Sequence, residues 1–409
     1  MNVETPSIHL AKKPSLANYN NNNKDVNMSD KFNLYDVYEQ NLNFLFGAGA
    51  SFGFLPTLAL SIKNTDGESY TFETLAKALD KENTNNLYTL LFMQYYKTCI
   101  QPGLPKPVVR RRRRSLVLNE YKKFLDTLLS ALEKQNRNDK KCNIYTTNYD
   151  YCFEVSADAL LTEQAVNCVV NDGSAGFQQR RFHTKNYNNR VVQQGIFDKH
   201  AEYIPQINIL HPHGSVYWKK EAQGIAVNYE HTPYEIEFDA EQLRLLTAFE
   251  EIVNDDSKVL EDLIQFGGEF MEDWTLLRTA EFWEHYDAIP IVNPTKWKFH
   301  ETVFEEAYYQ ILRHLSFELE RPNSALITFG FSFADEHILH LVQRSLSNPS
   351  LTVYLSCFND DEKREMRKKF KGYNNVKYIT IDEDLTFTRF NKRIFTLKKD
   401  DESVIPHII

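Results

Sequence analysis

Three short stretches of this chain carry side chains suited to chemistry. His213-Gly214 joins the side chain that best accepts a proton near neutral pH to a residue leaving room for a ligand beside the imidazole. His211, two residues earlier, is placed to point to the opposite face of the same strand end. In Thr146-Thr147-Asn148-Tyr149-Asp150, an amide and a carboxylate stand two residues apart. Asn148 is suited to bond a ribose hydroxyl or hold a water, and Asp150 to accept from a carboxamide. Gly47-Ala48-Gly49-Ala50-Ser51 is a glycine-rich turn of the kind that lets a backbone approach a diphosphate, with following amides and a helix N-terminus donating to it. With Gly53 the spacing is G-x-G-x-x-x-G, which differs from the dehydrogenase pattern. Taken singly, each has a plainer reading: a tight turn, ordinary Asn and Asp turn chemistry, or a structural histidine.

The elements that must position these residues are apolar runs ending at each motif. Asn41–Phe46, Cys142–Tyr145 and Ile207–Leu210 read as strands delivering polar groups at their carboxyl ends. Val117, Tyr121, Phe124, Leu125, Leu128, Leu129 and Leu132 recur at helical spacing and give one apolar face. Val303, Phe304, Ala307, Tyr308, Ile311, Leu312 and Leu315 do the same. Further on, strands at Ala325–Phe329, Leu351–Leu355 and Val376–Thr380 alternate with helices at about 335–346 and 360–370. This alternation predicts an α/β fold, a Rossmann-like parallel sheet with crossover helices.

Composition bounds the rest. The 409 residues are 42% hydrophobic and 13% aromatic, enough for a sizeable core. A formal charge of −9 argues against a dedicated nucleic-acid binder. No apolar run reaches membrane-spanning length and no signal-peptide core opens the chain, so the expected compartment is the cytoplasm. Cys99, Cys142, Cys152, Cys168 and Cys357 are odd in number and contain no C-x-x-C pair, so the chain has no four-cysteine zinc module and is expected to hold free thiols and no metal. Residues 1–30 are polar and asparagine-rich and read as a tail, leaving 31–409 as the folded part. Within it, 221–287 carries 18 acidic residues against three basic ones and reads as an inserted, mainly helical module containing Trp274 and Trp283. Arg110-Arg111-Arg112-Arg113-Arg114 is either a docking site for phosphates or an acidic surface, or a solvated loop leading into a helix at Ser115.

In order and combination, the motifs resemble the sirtuin NAD-binding fold, which runs through a Gly-Ala-Gly-x-Ser loop, a Thr-Gln-Asn-Ile-Asp loop and a His-Gly pair. Here Thr147 replaces Gln and Tyr149 replaces Ile. Gly330-Phe331-Ser332-Phe333 resembles the later Gly-x-Ser loop beside the adenosine, while Asn293-Pro294-Thr295-Lys296 and Asp335-Glu336-His337-Ile338 look like elements of a divergent bacterial sirtuin-like group. The resemblance covers patches from about Phe32 to Thr380. Sirtuin deacylases carry the zinc module that this chain lacks. The layout is therefore most similar to sirtuin-like NAD hydrolases of bacterial anti-phage systems, and in particular to the subunit that pairs with a HerA-type hexameric ATPase. The resemblance implies NAD+ as substrate, with the diphosphate at Gly47, Ala48, Gly49, Ala50 and Ser51, Thr147 alongside, and the adenosine near Gly330 and Ser332. It makes Asn148, Asp150 and His213 the catalytic set, with ADP-ribose and nicotinamide as products. It further implies a homo-oligomer controlled by the ATPase, without membrane contact, and with nucleic acid reached only through the partner or Arg110–Arg114. A non-catalytic NAD or ADP-ribose sensor and an NAD-dependent deacylase are the alternative readings.

Overall fold

The structure, a computed structural model, describes residues 32–397 apart from 83, 105–110, 138, 165, 195–200, 223, 231–234, 270–276 and 294–305. The tail at 1–30, Arg110, Trp274, residues 294–296 and Val303-Phe304 lie outside the described residues.

Seven strands form the central sheet: β1 (Asn41–Phe46), β2 (Lys141–Thr146), β3 (Val169–Asn171), β4 (Gln206–Leu210), β5 (Ser324–Phe329), β6 (Leu351–Ser356) and β7 (Val376–Ile379). Their spatial order is β7-β6-β5-β1-β2-β4-β3, and every pairing is parallel. All six residues of β2 and of β5 are buried, as a parallel sheet covered on both faces requires. Alternation within β1 explains the layering. Phe44 and Phe46 pack against Tyr121, Phe124 and Leu128 of the Arg111–Lys134 helix and against Phe153 of the Cys152–Gln164 helix. Leu45 faces the other way, into a core shared with Ile311, Leu315, Ile338 and Val342 of the Glu306–Glu320 and Glu336–Ser345 helices.

One row of the sheet is polar. Asn43, Asn143, Asn208 and Asn171 stand at matching register on β1, β2, β4 and β3. Asn143 Nδ2 donates to Asn43 Oδ1 at 2.8 Å, Asn208 Nδ2 to Asn143 Oδ1 at 2.8 Å, and Asn171 Nδ2 to Asn208 Oδ1 at 3.2 Å. Each buried amide thereby finds a partner on the next strand.

A third core stands apart from the sheet. It joins helices Phe72–Lys81 and Asn85–Tyr95 to Ala240–Val253, Leu260–Glu269 and Thr279–Asp287, through Leu90, Phe92, Leu245, Phe249, Leu263 and Tyr286. The acidic module is thus helical, but half of its core comes from residues before β2. Its expected start also moves: Trp218–Glu221 and Gly224–Val227 are strands of a separate four-stranded sheet shared with Arg180–Phe182 and Ser174–Ala175. Two short runs joined by a tight connection pair antiparallel before the helices begin. Among the described residues, no helix is long and apolar enough to cross a membrane.

Candidate functional site

The sheet has a switch point where β1 and β5 lie side by side. The Arg111–Lys134 helix, which leads into β2, packs on one face and the Glu336–Ser345 helix after β5 on the other, which leaves a crevice at the strand ends. A cavity of about 850 Å³ opens there, within the roughly 300–1,000 Å³ typical of ligand sites. Ala48, Gly49, Ala50, Ser51, Thr147, Asn148, Asp150, His213, Gly330 and Ser332 all line it; Gly47 sits behind the wall.

Gly47–Ser51 is not the start of a long helix. Ala48–Ser51 makes a single 3₁₀ turn, and Gly53 (φ +95°) and Pro56 then turn the chain away. The Gly49 amide donates to the Gly330 carbonyl at 3.0 Å and the Ala50 amide to the Gly47 carbonyl at 3.0 Å. Of this loop, the Ala48 amide has no partner among the described residues. The glycines serve a close approach: a Cβ on Gly49 would lie 2.6 Å from the Gly330 Cα, and one on Gly330 (φ +62°) 2.6 Å from the Ala50 nitrogen.

Ser51 joins the first motif to the second. Its hydroxyl has one proton and two lone pairs. The proton goes to Asp150 Oδ2 at 2.8 Å, so Ser51 Oγ accepts from Tyr121 OH at 2.8 Å and from Asn148 Nδ2 at 3.3 Å. Burial, chiefly, pushes the Tyr121 phenol well above its ordinary value and keeps it protonated as a donor. Asp150 Oδ1 accepts from the Cys152 amide at 3.0 Å at the start of the Cys152–Gln164 helix. Both Asp150 oxygens are thus engaged, whereas Asn148 Oδ1 accepts nothing from the described residues. Thr147 anchors the loop to β1, its amide donating to the Phe46 carbonyl at 3.0 Å.

The two histidines after β4 part company. His211 does not line the cavity. Its Nδ1–H donates to the Asn148 carbonyl at 3.1 Å and its Nε2–H to Glu154 Oε1 at 2.7 Å, so both ring nitrogens are donors. Burial works against that charge, but the Glu154 carboxylate and the carbonyl outweigh it and raise the His211 pKa. His213 lines the cavity, and its Nε2–H donates to Asp335 Oδ2 at 2.7 Å, with side chains 8% and 5% exposed. Its Nδ1 has no partner among the described residues. Gly214 (φ +80°) lets this loop cross beneath the chain at Ile291, since a Cβ there would meet the Pro290 carbonyl oxygen at 2.1 Å.

Three participants escaped the sequence reading. Tyr121 registered only as an apolar-face residue, and Asp335 only as part of a resemblance and a helix start. Ser356, last residue of β6, lines the cavity 6% exposed with a buried hydroxyl that has no partner among the described residues. The arginine run also reads differently. The helix begins at Arg111, four residues before Ser115, because arginine is a good helix former. Arg112 and Arg113 are exposed, while Arg114 bonds the Tyr151 hydroxyl and lies 5.2 Å from that ring and 5.9 Å from Phe54. All five thiols are free, with Cys142, Cys152 and Cys357 buried, and no group of three or more His, Cys, Asp or Glu among the described residues is placed to hold a metal ion. No protein-family model matches the chain, and no curated protein matches it either.

Proposed function

We propose that this chain is an NAD+ glycohydrolase, cleaving the bond between nicotinamide and ribose to release ADP-ribose. The observation carrying this reading is the meeting of four strand-end segments, each holding residues of the resemblance, around one cavity at the switch point. NAD+ extends over the strand ends, with its diphosphate by the Ala48–Ser51 turn, its adenosine toward Gly330, Ser332 and Ser356, and its nicotinamide ribose between Asn148 and His213. The Ser356 hydroxyl and the Ala48 amide, neither with a partner among the described residues, suit a ligand rich in hydroxyl and phosphate oxygens.

As the C1′–N bond breaks, its electron pair moves onto the pyridinium nitrogen, so nicotinamide leaves neutral without a general acid. The ribose left behind resembles an oxocarbenium ion, the electronic problem of glycoside hydrolysis. Water forms the new C1′–O bond and gives up a proton to His213. Asn148 Oδ1 holds a ribose hydroxyl or that water. Asp150, engaged with Ser51 and the Cys152 amide, keeps the Asn148 loop in place and offers its remaining lone pairs to the carboxamide. Placement in a water-poor cavity supplies much of the rate, with general-base catalysis contributing about 10²–10⁴-fold.

Action as an NAD-depleting antiviral effector in the cytoplasm, self-association and control by a HerA-type ATPase belong to the same proposal and rest on the resemblance. The closed hydrogen-bond set around Ser51 and Asp150 equally suits a subunit that binds NAD+ or ADP-ribose without turning it over. Product analysis separates the two. The full chain is incubated with NAD+, with and without the co-expressed ATPase, beside Asn148→Ala and His213→Ala. Nicotinamide and ADP-ribose formed without any acylated peptide and lost in both variants establish the hydrolase. Near-wild-type rates in both variants sink the assignment, and binding without product moves it to the sensor.

A further inference from the structure

The geometry points to Asp335 as the positioning residue of the site, fixing His213 with its proton on Nε2 and so leaving Nδ1 to accept the proton from water. The inference rests on the hydrolase reading for its chemistry, although the tautomer itself is a property of the free protein.

An ionised carboxylate only accepts, so a 2.7 Å bond between His213 Nε2 and Asp335 Oδ2 places the ring proton on Nε2. Neutral imidazole then has its lone pair on Nδ1, the nitrogen without a partner among the described residues. The backbone is held as well: the His213 carbonyl accepts from the Val292 amide at 2.8 Å, and Gly214 allows the crossing at Ile291. With main chain and Nε2 both fixed, the ring has one orientation, as a general base needs to meet its proton donor at hydrogen-bond distance.

Asp335 is in turn held by its other oxygen. Its Oδ1 accepts from the His337 and Ile338 amides at 3.0 and 3.3 Å, capping the Glu336–Ser345 helix. One carboxylate therefore joins the N-terminus of a ten-residue helix to the imidazole. As water attacks C1′ and its proton moves to Nδ1, the imidazolium that forms faces an anion already in place, with no group needing to move.

A purely structural bond between helix and loop predicts different behaviour, and substitutions separate the two. Asp335→Asn keeps an oxygen for the cap but presents an amide N–H to Nε2, which drives the ring proton onto Nδ1. Asp335→Ser keeps a capping oxygen and does not reach the ring. The expected result for Asp335→Asn is a melting temperature close to wild type, KM for NAD+ within about threefold, and kcat lower by roughly 10²–10⁴-fold. Asp335→Ser is expected to retain more activity than Asp335→Asn, because its imidazole is free to take either tautomer. The readout independent of turnover is the ¹⁵N spectrum of His213, assigned by its loss in His213→Ala. Wild type should show Nε2–H with a bare Nδ1, and Asp335→Asn the reverse. An Nδ1–H tautomer in wild type overturns the inference, as does an Asp335→Asn variant with unchanged kcat in a chain that hydrolyses NAD+. If wild type leaves NAD+ intact while showing the Nε2–H tautomer, the positioning stands and the hydrolase reading falls.

Discussion

His211 and His213 show how one strand end prepares two imidazoles for opposite work. His213 lines the cavity with one ring nitrogen that has no partner among the described residues, while His211 spends both nitrogens on the protein and gains a charge that braces the Asn148 loop from behind. The His211 charge has a pH signature of defined sign. Its folded pKa is raised above the ordinary value of 6.5, so the folded state holds more protons than the unfolded chain between those two values. The stabilisation is fully present below about pH 6.5 and is lost as pH rises through the folded value. Urea midpoints of wild type and His211→Gln from pH 5.5 to 9 are expected to differ most on the acid side and to converge on the alkaline side. A gap that widens with pH would refute the assignment. The sequence placed His211 on the opposite face from His213 and held back from giving it a role. Its partners explain why, because Glu154 lies 57 residues away on a helix and the other partner is a main-chain oxygen. The same distance hid the Tyr121–Ser51 bond, which spans 70 residues, and the Asp335–His213 bond, which spans 122.

At the scale of elements, strands and helices with a regular apolar period were legible almost to the residue. β1 and the three C-terminal strands lie where the apolar runs put them, the helix after β5 is within a residue of its expected ends, and the periodic face from Val117 to Leu132 lies within the Arg111–Lys134 helix. The three-residue strand β3 was not, since Val169–Asn171 is too short to show a period and owes its place to pairing with β4. The asparagines of the sheet were equally silent: scattered along the chain, they make sense only once parallel register aligns them. Replacing Asn143 by Leu leaves Asn43 Oδ1 without its donor and Asn208 Nδ2 without its best acceptor. A loss of about 2–5 kcal/mol in urea unfolding, with unchanged m, is the expected outcome. A change below about 0.5 kcal/mol would show that the neighbours find other partners.

Across the whole molecule, the cavity is walled by the strand ends of the sheet and by the helical core that flanks it. Strand ends supply Asn148, His213 and Gly330, while Tyr95 and Cys99 come from the helical core that flanks the sheet. Composition marked that module by its charge but could not show that residues on both sides of β2 build it, because hydrophobic runs carry no address. A ligand held between the two walls must tighten both. Using Asn148→Ala to prevent turnover, saturating NAD+ is expected to slow amide exchange in the Asn85–Tyr95 helix as well as in the loops after β1 and β2. At about 100 times Kd, the accompanying stabilisation is about 2.7 kcal/mol. Protection confined to one wall would place the ligand elsewhere.

The bare seam between the loops after β1 and β5 has a consequence for how this site can be tuned. Gly47 and Gly49 meet Gly330 main chain to main chain, with the Phe331 ring packed close beside Gly47, so a side chain added at any of the three glycines would strike backbone. Substitution there forces main chain apart, so this seam tolerates little adjustment. Adjustment must come from the opposite wall, where helices meet through side chains that can slide and repack. A switch laid over this fold would act as a hand on the lid, leaving the hinge-less base untouched.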